Sequence, residues 1–374
     1  MAPDRWRAAL HQGWPVSRTL LLLAATDTAA VPGISAAGAT PEARLGTAAA
    51  DAELLLQGPG AGRVHALPPL PAGVSPALIS HVVLRELGLL ERTQVVDLGC
   101  AIAPSVPHLR LPALESAGPA CCLSTGRALD PARVKALLQR GRSWGERWNP
   151  AEPLLLAECV PGGTTTALAV LQGLGVEAAG LVSGSLRQPA HGLKAALVRR
   201  GLEAAVAGGG VVAGVGAEPS PTAVLAAVGD PMQALAAGLV AAAAARGTPV
   251  LLAGGSQMAA VLALALALAE PGRRQELVCQ VTLATTAWVA EEPGSDLALL
   301  LARIGALWQV RPRLEVAALR FHGCSSAALR DYERGYVKEG VGAGGLALLW
   351  ELAGLPPAAL AAACDQACRL ELGV

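Results

Sequence analysis

Residues 154–166 read Leu154-Leu155-Leu156-Ala157-Glu158-Cys159-Val160-Pro161-Gly162-Gly163-Thr164-Thr165-Thr166. The run 154–157 is apolar, short and closed by a turn, which predicts a strand buried on both faces. It ends in a carboxylate and a Gly pair, and the threonines open a helical pattern over 164–172. Strand, Gly turn and helix together make one half of a βαβ unit.

The same alternation repeats outward. Further strands are predicted at 20–25, 94–98, 177–182, 211–215, 249–253 and 278–284. Helices are predicted from Thr40-Pro41-Glu42, from Ser75-Pro76 to 87, and over 131–140, 193–207, 221–228, 232–246 and 257–269. Proline clusters make 63–76 and 104–119 irregular crossings, and 144–150 is a polar break. Strands separated by helices imply an α/β fold. We expect a doubly wound, mostly parallel Rossmann-like sheet with helices on both faces, plus a smaller helical subdomain from the chain ends. Residues 1–150 form an N-terminal α/β portion and 151–374 the main α/β core, the two making up one composite domain.

The chain has 374 residues, with Lys plus Arg and Asp plus Glu balanced at 29 each. A zero net charge removes the electrostatic case for nucleic acid or an anionic membrane as partner. With 53% apolar and 16% charged residues, intrinsic disorder is excluded for most of the chain. Aromatics are only 3%, so the core is built from Ala, Leu and Val. The charge-poor surface predicts oligomerisation. The apolar run 258–269 is too short to span a bilayer, and 223–245 is interrupted by Gly229, Asp230, Pro231 and Gln233. Arg5, Arg7 and Arg18 before 20–25 mimic a signal peptide, but the run stops at Asp27 and reads as a buried strand. A soluble, cytoplasmic protein is expected. The eight Cys form no Cys-x-x-Cys pair and the six His are scattered, so no metal site is predicted and buried thiols are expected. His322-Gly323-Cys324 comes closest to a metal or nucleophile motif.

In doubly wound sheets ligands sit beyond the carboxyl ends of the strands. Amides and hydroxyls at Gly162, Gly163, Thr164 and Thr165 fit an oxyanion or phosphate cradle, or equally a Thr-capped helix. No Gly-Lys-Ser/Thr follows, so this is not a Walker loop. Gly340-Val341-Gly342-Ala343-Gly344-Gly345 contains a dinucleotide-like string, but charged residues, not a strand, precede it. Lys194 follows the loop Ser183-Gly184-Ser185, where an anion could dock. Glu339 precedes Gly340 in a small-residue turn.

Together these stretches resemble the nicotinate-nucleotide–dimethylbenzimidazole phosphoribosyltransferases, in a divergent branch of that family found in archaea and cyanobacteria. The family's Glu-Met-Gly-Ile-Gly-Asn-Thr-Thr-Thr aligns without a gap on Glu158 to Thr166. Its Gly loop with a downstream phosphate-site Lys matches Ser183-Gly184-Ser185 and Lys194. Its Val-Gly-Gly-Phe-Glu-Ile-Ala-Ala-Met-Ala-Gly falls on 228–238, its next strand and Asp-Gly-Phe turn on 249–255, and its Gly-Glu-Gly-Thr-Gly-Ala on 338–343. All five blocks keep their order. The N-terminal Thr-Lys-Pro-x-Gly-Ser-Leu-Gly signature is absent, Gly163 replaces the loop Asn, and Ala253 replaces the turn Asp.

The resemblance implies a homodimeric glycosyltransferase that moves the 5-phosphoribosyl group of nicotinate mononucleotide to an aromatic base, with no cofactor. It implies Glu339 as catalytic base, supported by Glu158. Gly162, Gly163, Thr164, Thr165, Ser183, Gly184, Lys194 and Gly340 would bind phosphate and ribose. On ordinary values Glu339 is already ionised at neutral pH, so no upward tuning is required for the role. The main alternative is a homologue that binds a nucleotide or cobamide precursor without catalysis; a nicotinamide-dependent oxidoreductase is more distant.

Overall fold

Among the described residues seven strands pair in parallel: β1 (Arg18–Leu23), β2 (Thr93–Asp97), β3 (His108–Arg110), β4 (Leu154–Cys159), β5 (Val250–Ala253), β6 (Val281–Thr286) and β7 (Arg313–Ala317). Their order across the sheet is β3-β2-β1-β4-β5-β6-β7. The structure is a computed structural model and describes residues 3–60, 62–209 and 220–373.

The apolar runs hide a period of two. Leu20, Leu22, Leu154, Leu156, Val250 and Leu252 belong to the core on one face of the sheet. Leu21, Leu23, Leu155, Ala157 and Leu251 belong to the core on the other. Each central strand is therefore apolar on both sides, as a sheet sandwiched between helices requires. The first face is covered by helices including Pro131–Arg147, Gly163–Gly173, Pro221–Val228, Pro231–Ala245 and Ser256–Leu268. The helices from the chain ends form the second layer: Pro3–Gly13, Thr47–Gln57, Ala77–Glu86, Ala343–Leu352 and Pro357–Leu372.

Small residues let these helices approach closely. A Cβ on Gly141 would lie 2.1 Å from the Leu235 carbonyl oxygen, and one on Gly238 would lie 2.3 Å from that of Leu138. Both contacts are with backbone, so neither side can yield by a rotamer change. Gly238→Ala is expected to destabilise the protein by about 1–3 kcal/mol despite the better helix propensity of Ala. Urea unfolding reads this; an unchanged midpoint would mean that the two helices separate freely.

Several expected elements shift. The loop 104–119 contains β3, a three-residue edge strand, and Pro131–Arg147 runs through most of the expected break at 144–150. Residues 177–182 are not a strand: β4 pairs directly with β5, leaving no slot, and Gly180 turns the chain at φ 74°. The strand expected at 278–284 starts at Val281, because helix Arg274–Gln280 takes its first residues. The strand expected at 211–215 lies outside the described residues. β7 went unpredicted; as an edge strand it is largely half-exposed and mixes Arg and Glu with apolar residues. β1 pairs with β2 on one side and β4 on the other, so residues before and after 150 share one sheet.

Candidate functional site

The connection leaving β1 leads to β2 and the one leaving β4 leads to β5, in opposite directions across the sheet. Between the carboxyl ends of β1 and β4 lies the switch point where such folds bind ligands. A cavity of about 340 Å³ opens there, within the range of small-molecule sites. Glu158, Gly162, Gly163, Thr164, Ser183, Gly184, Glu339 and Gly340 all line it. Thr165 and Lys194 do not.

Glu158 sits one residue before the end of β4. Its carboxylate accepts from the Val160 amide at 2.9 Å, and its carbonyl accepts from the Val341 amide at 3.1 Å. That second bond ties the β4 loop to the loop bearing Glu339. Burial pushes the Glu158 carboxyl up to about 8, with Asp230 and Glu339 adding like charge. Gly162 caps helix Gly163–Gly173 in a left-handed conformation, φ 82°. A Cβ there would lie 3.0 Å from the Ala29 amide, and one on Gly163 would collide with Gln257 Oε1 at 1.9 Å. Gly162 is held to glycine by its positive φ and the Ala29 backbone, whereas at Gly163 a larger residue such as the family's Asn would require the end of the Gln257 side chain to move.

The three threonines have three different tasks. Thr164 Oγ1 accepts from Lys194 Nζ at 3.0 Å. Thr165 is fully buried, and its hydroxyl has no hydrogen-bond partner among the described residues. Thr166 donates to Asp230 Oδ2 at 2.6 Å, linking the helix to the capping box that starts Pro231–Ala245. Lys194 lies one turn into helix His191–Ala207 with 1% exposure, and its ammonium also donates to the Ser183 carbonyl at 2.6 Å. Burial draws its pKa down to about 8, countered by Glu292 and reinforced by Lys338.

Glu339 is held by four donors. Thr285 Oγ1 and the Thr286 amide reach Oε2 at 2.9 Å each; the Gly340 and Gly344 amides reach Oε1 at 3.2 and 3.0 Å. Burial raises its pKa above the ordinary carboxylate value while these donors pull it back. The loop around it is strained: Val337, Lys338 and Val341 have φ of 65°, 69° and 53°, a region costly for residues other than glycine. Close packing fixes where the loop lands. A Cβ on Gly344 would lie 2.2 Å from the Thr285 carbonyl carbon, and one on Gly345 would lie 2.3 Å from the Ala253 Cβ.

Sequence reading missed two features of this region. Asp51 lines the cavity as a buried carboxyl raised to about 6 by burial, accepting from Ser75 Oγ at 2.6 Å. Lys338 and Glu292 form a buried ion pair. Neither carried a local signal, since long-range folding alone brings their partners together. The dinucleotide-like string at 340–345 opens helix Ala343–Leu352 but follows helix Ala327–Glu333 and a loop, not a strand. Cys324 and His322 do not converge: the thiol is buried against the Ala361 carbonyl and the ring faces Glu333. Of the eight thiols, all free, five are buried and Cys121 is exposed. Among the described residues no three His, Cys, Asp or Glu side chains are placed to hold a metal ion, and no helix is long and apolar enough to cross a membrane.

A neutral carboxyl at position 158 has a measurable consequence. Between pH 4.5 and about 8 the folded state keeps a proton at Glu158 that the unfolded chain releases. Stability from this group therefore falls as pH rises through that window. Glu158→Gln removes the dependence, so its unfolding temperature relative to wild type should be higher at pH 8 than at pH 5. Parallel melting curves at the two pH values would show instead that Glu158 is ionised in the fold.

A family model described as Phosphoribosyltransferase matches residues 88–284, from just before β2 into β6. The chain belongs to the phosphoribosyltransferase family. The match includes Glu158, the Gly162–Thr165 turn, Ser183, Gly184 and Lys194, and makes the protein an enzyme of the glycosyl-transfer class. A UPF0284 protein of Prochlorococcus marinus (strain MIT 9313) is 51% identical over all of this chain and 91% of its own. Another, of Parasynechococcus marenigrum (strain WH8102), is 53% identical over 93% of this chain and 86% of its own. Among solved structures, CobT from Thermus thermophilus shares the fold with a TM-score of 0.55 at 19% identity, covering all of this chain and 95% of that one. A nicotinate-nucleotide–dimethylbenzimidazole phosphoribosyltransferase from the same organism gives 0.55 at 18%, covering all of this chain and 99% of that one.

Proposed function

We propose that the protein transfers the 5-phosphoribosyl group of nicotinate mononucleotide to an aromatic nitrogen base, giving an α-riboside 5′-phosphate for the lower ligand of a cobamide. The observation that carries this reading is the meeting of Glu158, the Gly162 turn and Glu339 in one cavity at the switch point. A mononucleotide and a flat base need phosphate donors at one end and a proton acceptor at the other, and these lie on different loops of the same pocket.

In the reaction the bond from C1′ to the pyridinium nitrogen breaks and nicotinate leaves with the electron pair, needing no strong acid. The incoming ring nitrogen bonds to C1′ from the opposite face, inverting β to α. Its other ring N–H becomes acidic and passes the proton to Glu339. Four donors face the Glu339 carboxylate and offset part of the burial that raises it, whereas Glu158 accepts a single amide and burial pushes it up to about 8, so Glu339 is the better placed proton acceptor and Glu158 the hydrogen-bond donor. Glu158 orients the ribose hydroxyls. Holding two substrates together makes the displacement effectively unimolecular.

The test is incubation of the purified protein with nicotinate mononucleotide and a panel of bases, following free nicotinate. Release that depends on the base supports transfer; tight nucleotide binding without release points to the non-catalytic alternative. A homodimer belongs to the same proposal, and a light-scattering mass near 37.6 kDa at micromolar concentration would remove it.

A further inference from the structure

The Glu339 loop is gripped at a second place that the transfer mechanism does not use. Lys338 is 1% exposed and adopts φ 69°, a conformation open to glycine but disfavoured for lysine. Its ammonium pairs with Glu292 and donates to the Leu186 carbonyl at 2.7 Å. Glu292 in turn accepts from Ser295 Oγ at 2.6 Å, so both of its oxygens are engaged. The Lys338 carbonyl accepts from Thr286 Oγ1 at 2.6 Å, and the Thr286 amide donates to Glu339. One residue thus touches both sides of the cavity. Its backbone shares Thr286 with the candidate base, and its side chain reaches the segment that continues from Ser183 and Gly184.

Resting on the transfer reading above, we propose that Lys338 is a positioning residue. Its ammonium joins the left-handed Glu339 loop to the Ser183–Leu186 loop, so that a phosphate seated at the second loop sets the Glu339 carboxylate for proton transfer. A buried ion pair adds little net stability in general, so the role proposed for this one is to hold the two loops in one arrangement. The two loops come from distant parts of the chain, and Lys338 joins them directly.

The experiment compares wild type with Lys338→Met combined with Glu292→Gln, a neutral pair that strands no buried charge, and with Lys338→Arg. Each is assayed with nicotinate mononucleotide and with its dephosphorylated riboside. In the neutral pair, kcat for the nucleotide should fall about tenfold or more toward that of the riboside, within the usual span of coupling between linked sites. KM for the nucleotide and kcat for the riboside should hardly change, and Lys338→Arg should recover part of the loss. Equal losses on both substrates, or a raised nucleotide KM with unchanged kcat, overturn the proposal. Hydrogen exchange over residues 337–342 with inorganic phosphate gives a readout independent of transfer. Slowing in wild type but not in the neutral pair supports the link even if no transfer is found, which would remove only the transferase reading. No slowing in wild type overturns the link even where transfer is active.

Discussion

Glu339→Gln is expected to bind nicotinate mononucleotide almost normally and to turn over about 10²–10⁴-fold more slowly, the usual contribution of a general base. The substitution is not silent structurally, because all four groups facing the carboxylate are donors. An amide nitrogen placed at Oε2 can still donate to Thr285, whose hydroxyl rotates, but it opposes the Thr286 amide. One lost bond of that kind costs about 1–3 kcal/mol of stability, so the variant should fold and melt earlier. Turnover is therefore compared at a temperature where both proteins are folded. Glu158→Gln provides the contrast. If neutral Glu158 is the donor, wild-type kcat falls near pH 8 as Glu158 loses its proton. Glu158→Gln should lose that alkaline fall. Near-wild-type turnover in Glu339→Gln moves the base role to Glu158, and near-wild-type turnover in both ends the two-carboxylate mechanism.

The parts of the fold legible in the sequence are those where local pattern and burial coincide. Leu154 to Ala157 is apolar because both faces of a central strand are covered, and the Gly162-Gly163 turn is small because Ala29 and Gln257 press against it. The break at Gly229-Asp230-Pro231 between two helices is likewise a local signal. Edge strands lack this coincidence: β3 and β7 mix exposed and half-buried residues and read as loop. The opposite error arises at 177–182, where Ala178 and Val182 are buried by packing rather than by pairing, so apolarity mimicked a strand. Within the site, most residues on the Glu158, Ser183 and Glu339 loops could be nominated because short motifs carry them. Their electrostatics could not. A carboxyl near 8, another near 6 at Asp51 and a lysine near 8 follow from burial that the sequence does not display.

Lys194 is where geometry most changes what a substitution should do. It does not line the cavity; it stands behind Ser183 and Gly184, which do. Two of its three N–H donors are taken by the Ser183 carbonyl and Thr164 Oγ1, leaving one for a ligand. A Cβ on Gly184 would lie 3.1 Å from the ammonium, so the missing side chain leaves that approach open. A phosphate reaching it would gain a charge-assisted bond in a poorly hydrated setting. Lys194→Met, which keeps the buried volume, should weaken nicotinate mononucleotide by about 1.5–3 kcal/mol, roughly ten- to a hundredfold in Kd. The riboside should lose almost nothing. Because burial places the lysine near 8, wild-type preference for the nucleotide over the riboside should also shrink as pH rises past that value. The methionine variant should show no such step there. Titration calorimetry with both ligands at pH 7 and pH 9 reads all four combinations. Equal losses for nucleotide and riboside would mean that Lys194 only braces the Ser183 and Thr164 loops, and the phosphate would then have to be held by the Gly162 turn alone.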